Sequence, residues 1–252
     1  MTAELAVQTY IAHQSSPWLN LRRHMLRGLI RWVGFGLLAR VRVHGEENIP
    51  HTGPVLLMMN HITALDPGIC MGASNDRFVI PMTKIENTHH PLGALAVWWW
   101  GAYTVNRGEI DRKALTNSIE LLKSGQCILI APEGTRQKNG LARPKDGMTY
   151  VATKSDAVIV PAILSSGTMA WKERWKKLSK PDIDVYFGKP FRFKTEGRSR
   201  IPRDELSMMT EEAMYQMALT IPDSDRALRG VYSDTSKATA RYLEFIDTRA
   251  TT

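Results

Sequence analysis

The first clear pattern along the chain is a helical one over residues 17–39. Apolar side chains recur there at spacings of three and four, which places them on one face of a helix, and arginines take up much of the remaining surface. The positions on the apolar face are Leu21, Met25, Leu26, Leu29, Trp32, Val33 and Leu37. The segment predicts an amphipathic helix, which either packs on the rest of the protein or lies in a membrane interface with its arginines near anionic headgroups.

Beyond this helix, strand-like and helix-like segments alternate as far as residue 219. Such alternation is typical of an α/β fold in which helices flank a central sheet. We expect one domain over residues 43–220 with a mostly parallel or mixed sheet, preceded by the amphipathic segment 1–42 and followed by a polar tail, 221–252, that wraps the surface loosely. The predicted strands are 41–44, 55–60, 78–81, 103–105, 127–131, 158–161 and 183–187, and the predicted helices are 67–73, 92–99, 111–124, 147–155 and 207–219.

Charge adds a candidate partner to this picture. Among 252 residues, 33 Lys and Arg against 25 Asp and Glu give a net charge of +8, which indicates an anionic partner. Residues 5–45 hold six arginines and no acidic residue, so the basic character lies around the amphipathic helix and favours a membrane surface over nucleic acid. No uncharged stretch is long enough for a membrane span, so we expect peripheral or monotopic attachment.

The cysteines and the catalytic signatures mostly exclude classes of protein. Cys70 and Cys127 cannot form a disulfide framework and indicate a reducing compartment. The sequence contains no GxSxG, GxGxxG, GxxxxGK or HExxH motif, and its histidines and cysteines show no metal-ligand spacing. Two polar segments that directly follow apolar strands remain as candidate sites, because ligands of α/β sheets bind beyond the carboxyl ends of strands.

The first candidate segment is NHITALDP at residues 60–67. Its loop is long enough to fold Asp66 back toward His61, and a carboxylate bonded to one imidazole nitrogen raises the basicity of the other. Such a pair can remove a proton from a hydroxyl without a side-chain nucleophile. Asp66 and Pro67 also predict a helix start, with Asp66 as its cap. The alternative is a plain strand–loop–helix junction with a solvated histidine.

The second candidate segment is APEGTR at residues 131–136. Pro132 and Gly134 predict a tight turn that carries Glu133 and Arg136 at its lip. The planar guanidinium of arginine suits a phosphate group. The alternative is a turn with a surface ion pair.

Together these two segments resemble the motifs of the glycerolipid acyltransferases, most closely the 1-acyl-glycerol-3-phosphate acyltransferases. NHxxxxD is followed about 70 residues later by PEGTR. Between and after them, GAYTVNR at 101–107, KDG at 145–147 and VIVP at 158–161 are similar to further blocks of that family. The resemblance covers about residues 42–191. Ala131 and Gln137 depart from the family pattern, which usually has Phe and Ser at these positions.

The resemblance implies a catalytic domain over residues 43–220 and a direct acyl transfer. His61 would be the general base for the acceptor hydroxyl, and Asp66 would orient it. The acyl donor would be a thioester, acyl-CoA or acyl carrier protein, and the acceptor lysophosphatidic acid. The family pattern needs no metal and no cofactor.

The same resemblance implies how the acceptor is held. Arg107 and Arg136 would bind its phosphate, while Glu133 and Gly134 would shape the glycerol site. Lys84 is a further cation, either a phosphate ligand or a solvated lysine. The implied substrate-binding residues are thus Lys84, Arg107, Glu133, Gly134, Thr135 and Arg136.

Several alternatives stay open at this point. The acceptor could be another lysolipid or an aminolipid, and a non-enzymatic basic membrane-binding protein would need neither His61 nor Asp66. The tryptophan run at 98–100 either packs in the core or lines an acyl pocket or the headgroup level. The basic cluster at 171–180 is either a second membrane contact or a solvated loop. We expect the enzyme to contact membrane lipids, but no nucleic acid, at the cytoplasmic face of the cell membrane.

Overall fold

The structure, a computed structural model, describes residues 3–74, 77–106 and 111–248. Two helices open the chain: α1 covers Ala3–Gln14, and α2 covers Pro17–Leu29 and continues as a π-helix over Ile30–Leu38. The side chain of Ser16 accepts a hydrogen bond from the Leu19 amide and Pro17 fills the first turn, so α2 begins where its sequence signals place it. Helical structure thus covers nearly all of the predicted range 17–39, but it changes from α to π at Ile30.

The remaining elements follow in the predicted alternation. Asp111 caps the helix Arg112–Lys123 (α5) through the Ala114 amide at 2.9 Å, as its sequence predicts. The strands are β1 Arg40–His44, β2 Val55–Met59, β3 Val79–Lys84, β4 Tyr103–Val105, β5 Cys127–Ile130, β6 Val158–Leu164, β7 Asp182–Phe187, β8 Phe191–Phe193 and β9 Leu243–Phe245. The helices are α3 Asp66–Ala73, α4 Pro91–Trp100, α5 Arg112–Lys123, α6 Gly147–Ser155, α7 Trp171–Lys176 and α8 Arg203–Thr220.

The described strands form one mixed sheet with the order β1-β7-β6-β2-β5-β3-β4. Strand pairs β6–β2, β2–β5, β5–β3, β3–β4 and β1–β7 are parallel, whereas β7 runs antiparallel to β6. Strands β2, β5 and β6 are buried along their whole length, because helices cover both faces of the sheet, and their sequences are accordingly continuous apolar runs. The predicted α/β fold with a central mixed sheet is confirmed.

The C-terminal segment is not the loose tail that its polar composition suggested. A 3₁₀-helical stretch, Asp223–Tyr232, buries Leu228 and Tyr232, and β9 pairs with β8, which pairs with β6. Just before β9, Glu212 of α8 holds the turn at residues 241–242 by accepting hydrogen bonds from the amides of Arg241 and Tyr242. The expectation fails because a few apolar residues, widely spaced, are enough to attach this segment to the core.

The N-terminal helices present their apolar side to the outside. The exposed fractions are 56% for Leu29, 86% for Trp32 and 63% for Leu37. The arginines point the other way: Arg27 and Arg31 donate hydrogen bonds to the backbone oxygens of residues 72 and 74, at 2.8–3.4 Å. The expectation that the arginines of this segment face anionic headgroups is therefore wrong for these two, since each is turned toward the protein.

Arg23 is the deepest of these inward contacts. Only 1% of it is exposed, and its guanidinium donates hydrogen bonds to the backbone oxygens of Trp100 (2.8 Å) and Gln14 (3.0 Å) and to the Gln14 side chain. Gln14 ends α1 and Trp100 ends α4, so the cation lies at two helix C-termini, where carbonyl groups lack helical partners. Burial lowers the pKa of Arg23 to about 10, which leaves it charged at neutral pH.

The tryptophan run divides between the two open interpretations. Trp100 is 1% exposed and donates its indole hydrogen to the Val79 oxygen at 2.6 Å, so it belongs to the core. Trp98 is 60% exposed, with the guanidinium of Arg22 stacked 4.1 Å from its ring centroid.

Among the helices within the described ranges, none combines the length and the apolar character that a membrane crossing requires.

Candidate active site

Four neighbouring parallel strands end at the same edge of the sheet. Strand β2 leads into His61, β5 into the turn at 131–136, β3 ends at Lys84, and β4 ends two residues before position 107. The predicted site residues thus follow adjacent strands in the order β2-β5-β3-β4. This edge is where α/β sheets place their ligands. Arg107 itself lies outside the described residues.

His61 and Asp66 form the pair that their spacing predicts. Nδ1 of His61 lies 3.1 Å from Oδ2 of Asp66. The Asp66 side chain is fully buried, whereas 13% of the His61 side chain is exposed. Because the carboxylate accepts the hydrogen on Nδ1, the lone pair of the imidazole resides on Nε2. This nitrogen is therefore the one that can take a proton from a bound hydroxyl.

Asp66 does not cap helix α3, in contrast to the expectation from sequence. It is the first residue of α3, the cap position is Leu65, and no side chain caps the helix there. Instead the carboxylate reaches back and accepts hydrogen bonds from the amides of Ile62 (2.5 Å) and Thr63 (2.6 Å) and from the Thr63 hydroxyl (2.6 Å). The carboxylate bonds these loop donors rather than the helix amides because it is folded toward His61.

The turn after β5 is joined to the histidine loop through the backbone. The Gln137 amide donates a hydrogen bond to the His61 oxygen at 2.6 Å. Gly134 has φ +71°, a conformation that L side chains rarely adopt, and a Cβ at this position would lie 3.5 Å from the Lys145 side chain. Glycine is thus favoured here by its backbone conformation, since a Cβ would make only an ordinary contact with Lys145.

Glu133 is buried within this turn. Only 5% of it is exposed, and its Oε1 accepts a hydrogen bond from the Ala142 amide at 2.8 Å. Its Oε2 is also buried and has no hydrogen-bond partner among the described residues. Burial raises the pKa of Glu133 to about 7, against the opposite effect of the Ala142 and His61 backbone amides.

This burial predicts a pH-dependent stability that one substitution removes. Folded Glu133 keeps its proton up to about pH 7 and an unfolded glutamic acid loses it near 4.5, so the folded state binds more protons in between and loses stability as the pH rises through this window. Glu133→Gln removes the ionisable group, so this loss should vanish. The free energy of unfolding of the variant, relative to that of wild type, should therefore be on the order of 2 kcal/mol higher at pH 8 than at pH 5. Urea unfolding at both pH values measures it.

The exposed Glu244 supplies the matched control for that experiment. Glu244→Gln should change stability equally at pH 5 and pH 8. If the Glu133→Gln curve instead runs parallel to that of wild type, the carboxyl group is charged throughout, and burial does not perturb it.

The remaining predicted substrate ligands lie on the surface of this edge. Thr135 and Arg136 are exposed, and within the described part of the chain Arg136 makes no ion pair or hydrogen bond through its side chain. Lys84 is half-exposed, and its Nζ lies 3.1 Å from Oε1 of Glu86. A phosphate would have to compete with this carboxylate for the Lys84 ammonium, whereas the Arg136 guanidinium has no such competitor among the described residues.

Two polar residues near the site have geometries that the sequence did not predict. Asn60 bridges β2 and β6, because its amide group both donates to the Leu164 oxygen (3.0 Å) and accepts from the Leu164 amide (2.8 Å). Lys145 brings a cation against Gly134. The resemblance of the KDG block at 145–147 to a family motif singled out Lys145 in the sequence. Spacing alone does not show that this residue packs on the turn at 131–136.

The described residues offer neither a thiol nucleophile nor a metal cluster. No group of three or more His, Cys, Asp or Glu side chains in the described ranges is arranged to hold a metal ion. Cys70 and Cys127 are both buried, and burial raises the pKa of each thiol, to about 12 for Cys127. A buried thiol with a raised pKa is a poor nucleophile.

Comparison with known proteins agrees with this arrangement. The family model described as Acyltransferase matches residues 40–165, a region that runs from β1 to the end of β6 and contains the histidine loop and the turn at 131–136. The chain belongs to the acyltransferase family. Within this acyltransferase, the matched region includes every predicted site residue from His61 to Arg136.

Curated relatives of this acyltransferase carry a more specific name. A 1-acyl-sn-glycerol-3-phosphate acyltransferase of Borreliella burgdorferi is 34% identical over 128 residues, which cover 50% of this chain and 51% of the relative. The 1-acyl-sn-glycerol-3-phosphate acyltransferase alpha of Mus musculus is 30% identical over 151 residues, or 56% and 51% of the two chains. The chain thus spans about half the length of the curated relatives it matches.

A solved structure shares the fold of this acyltransferase. The crystal structure of the 1-acyl-sn-glycerophosphate (LPA) acyltransferase from Thermotoga maritima matches with a TM-score of 0.53 at 20% sequence identity. The match covers 77% of this chain and 76% of that one.

Proposed function

We propose that this acyltransferase transfers an acyl chain from a thioester, acyl-CoA or acyl carrier protein, to the free hydroxyl of lysophosphatidic acid, which yields phosphatidic acid. The observation that carries the proposal is the His61–Asp66 pair at the carboxyl end of β2, joined through the backbone to the turn that holds Arg136. The names of the curated relatives support the choice of acceptor.

The proposed reaction needs only one proton acceptor and no acyl-enzyme. Nε2 of His61 takes the proton of the acceptor hydroxyl as its oxygen attacks the thioester carbonyl carbon. The carbon–sulfur bond then breaks, and the thiolate leaves with the proton from the imidazolium. Asp66 keeps Nδ1 as the donor nitrogen and stabilises the imidazolium while it exists. The raised pKa values of both buried thiols support a direct transfer.

A purified-enzyme assay tests this function. The full chain is mixed with a panel of lysophospholipid and aminolipid acceptors, each with acyl-CoA and with acyl carrier protein, and esterified product is measured. We expect lysophosphatidic acid to give the highest kcat/KM. A higher value with another lysolipid would reassign the acceptor, and no transfer to any acceptor from either donor would overturn the proposal.

Arg136 predicts a selective effect on the charged acceptor. Its exposed guanidinium can bind a phosphate through two parallel hydrogen bonds, which orients the distant hydroxyl for attack. Arg136→Ala should lower kcat/KM for lysophosphatidic acid by roughly 10–100-fold, the range for a lost charged hydrogen bond, with little effect on residual use of a monoacylglycerol. Arg136→Lys should recover only part of the kcat/KM for lysophosphatidic acid, since an ammonium is a point charge.

Lys138 provides the control for charge alone, because it is an exposed cation two residues further along the chain. Lys138→Ala should leave the ratio between the two acceptors unchanged. Equal losses with both acceptors in Arg136→Ala would show that this side chain does not recognise phosphate.

We further propose that the outer side of α2 and the π-helix attaches the enzyme to a membrane. This apolar face consists of Trp18, Leu21, Met25, Leu29, Trp32, Val33 and Leu37, each at least 36% exposed. The π-helix packs directly on α3, where a Cβ at Gly72 would lie only 2.6 Å from Phe35 and from Ile30. Since α3 begins at Asp66, the apolar face and the catalytic pair flank the same short helix.

The apolar face predicts binding that salt weakens only slightly. Most nearby arginines are engaged within the protein: Arg42, for example, pairs with Asp184 at 2.7 Å. Leu29→Ser combined with Trp32→Ser should lower partitioning onto vesicles by at least about 100-fold, because each side chain contributes roughly 1.5–3 kcal/mol when fully withdrawn from water. Vesicle sedimentation at low and high salt measures both effects.

A matched double variant controls for lost apolar surface in general. Leu219 and Val231 are 51% and 64% exposed and lie outside the apolar face. Leu219→Ser with Val231→Ser should leave partitioning unchanged. If the wild-type chain stays in solution beside anionic vesicles at low salt, the membrane proposal fails. We place the attachment at the cytoplasmic face, in keeping with a reducing compartment.

A further inference from the structure

One exposed leucine occupies a backbone position that normally belongs to glycine. Helix α7 ends at Lys176, and Leu178 just beyond it has φ +51°. The Ser179 amide donates back to the Arg174 oxygen at 2.9 Å, which gives the hydrogen-bond pattern of a helix ending in a left-handed residue. Glycine is preferred at such positions because a Cβ is disfavoured in the left-handed conformation.

The side chain of Leu178 is not packed against the protein, so no burial offsets the strain of this conformation. It is 96% exposed, the highest fraction among the exposed large apolar side chains of the described residues. A strained, fully exposed leucine has no role in folding, and strain that persists in a structure points to a role elsewhere. The side chain is placed to be buried against something other than this chain.

Its surroundings indicate what that is. Lys176 and Lys177 precede Leu178 and are exposed, and Lys180 follows it. The only acidic residue between 171 and 180 is Glu173, whose carboxylate lies 3.5 Å from the Lys176 ammonium in an exposed pair of little strength. An apolar tip preceded by two exposed lysines is suited to an anionic lipid surface, where the leucine enters the acyl boundary and the ammonium groups of Lys176 and Lys177 meet the headgroups.

The loop is also joined to the apolar face of the N-terminal helices. Lys180 donates a hydrogen bond from Nζ to the Gly36 oxygen of the π-helix at 2.7 Å, and the Arg40 amide donates to the Pro181 oxygen at 2.9 Å. Leu37, 63% exposed, lies directly beside the first of these contacts in sequence. The loop thus continues the surface that we assign to the membrane.

We propose that residues 176–180, which we name the Leu178 loop, form a second membrane contact that inserts Leu178 between anionic lipids. This inference rests on the proposed membrane attachment. A contact surface that extends beyond one helix holds the enzyme at a fixed tilt, with the edge of the sheet that carries His61 turned consistently toward its lipid substrate. The occupant is a bilayer rather than a protein, because the loop continues an apolar helix face.

Leu178→Gly tests the proposal because stability and lipid binding should respond differently. Glycine relieves the left-handed residue, so the melting temperature should stay the same or rise. Affinity for vesicles of phosphatidylcholine with phosphatidylglycerol should fall about tenfold, the equivalent of one largely buried leucine. Leu178→Asn, which also tolerates this conformation, should give the same fall, whereas Leu219→Asn should give none.

The charge of the Leu178 loop is tested separately. Lys176→Gln with Lys177→Gln should weaken binding to the anionic vesicles at low salt and leave binding to pure phosphatidylcholine vesicles unchanged.

The outcomes separate this inference from the proposals on which it rests. A wild-type chain that binds no vesicles removes both membrane proposals, while acyl transfer to a soluble acceptor is judged on its own. Normal wild-type binding with equal binding of Leu178→Gly overturns the second contact alone. A selective loss of acyl carrier protein use in solution, with vesicle binding intact, would assign the Leu178 loop to an acidic protein and overturn the lipid proposal.

Discussion

His61→Ala should lower kcat by roughly 10²–10⁴, the usual contribution of a general base, while the protein stays folded. The structure gives the reason for the second half of this expectation. Asp66 keeps its hydrogen bonds from the Ile62 amide, the Thr63 amide and the Thr63 hydroxyl when the imidazole is removed. The loop therefore retains its anchor, and steady-state kinetics beside circular dichroism measures the loss.

A histidine outside the site serves as the control. His89 is exposed at the end of the 3₁₀-helix Ile85–His89 before α4, and His89→Ala should keep wild-type turnover. Wild-type turnover in a folded His61→Ala protein would instead refute the base assignment and favour the alternative in which this loop is a plain strand–loop–helix junction.

Asp66→Asn should be more damaging, because it affects both chemistry and folding. The carboxylate accepts four hydrogen bonds from His61, Ile62 and Thr63, whereas an amide offers one oxygen and turns two hydrogens toward the remaining donors. We expect kcat to fall by about 10³–10⁴, as for the equivalent change in other acid–base pairs, and stability to fall by roughly 2 kcal/mol or more from unpaired buried groups.

A double variant separates the two effects of Asp66. If Asp66 acts on the reaction only through the imidazole, His61→Ala with Asp66→Asn should have about the same kcat as His61→Ala alone, once corrected for the folded fraction. Multiplied losses would mean that Asp66 contributes to the reaction independently. A loss in Asp66→Asn that follows the folded fraction entirely would leave this residue a structural role only.

The central part of the fold is readable from sequence because its strands are buried on both sides. Uninterrupted apolar runs such as those of β2 and β5 leave little choice of structure, and the polar residues that follow them mark the edge where ligands bind. The contact between His61 and Asp66 was predictable for the same reason, since both residues follow one such strand within a short loop.

Other features depend on partners far away in the chain. Strands β8 and β9 are three residues long each, and only their pairing distinguishes them from loops. The orientation of α2 is similar: periodicity shows that the helix has two faces, but whether the arginines or the apolar side chains face inward depends on backbone oxygens at residues 72, 74 and 100. The capping role expected of Asp66 failed because loop amides offered it closer donors.

The burial of Arg23 limits how this enzyme can be truncated. Deleting residues 1–40 appears from sequence to be a clean way to remove a membrane anchor while sparing the catalytic loops. It would also remove the cation that holds the Trp100 oxygen, together with the Gln14 and Tyr10 side chains that donate to the Gly101 oxygen. Those oxygens lie at the start of the segment that leads through β4 to Arg107.

A truncated protein would therefore lose activity on water-soluble acceptors as well, although the deleted segment contains no predicted catalytic residue. Chimeras that exchange the N-terminal helices between relatives should fail in the same way unless Gln14 and Arg23 are carried across with them.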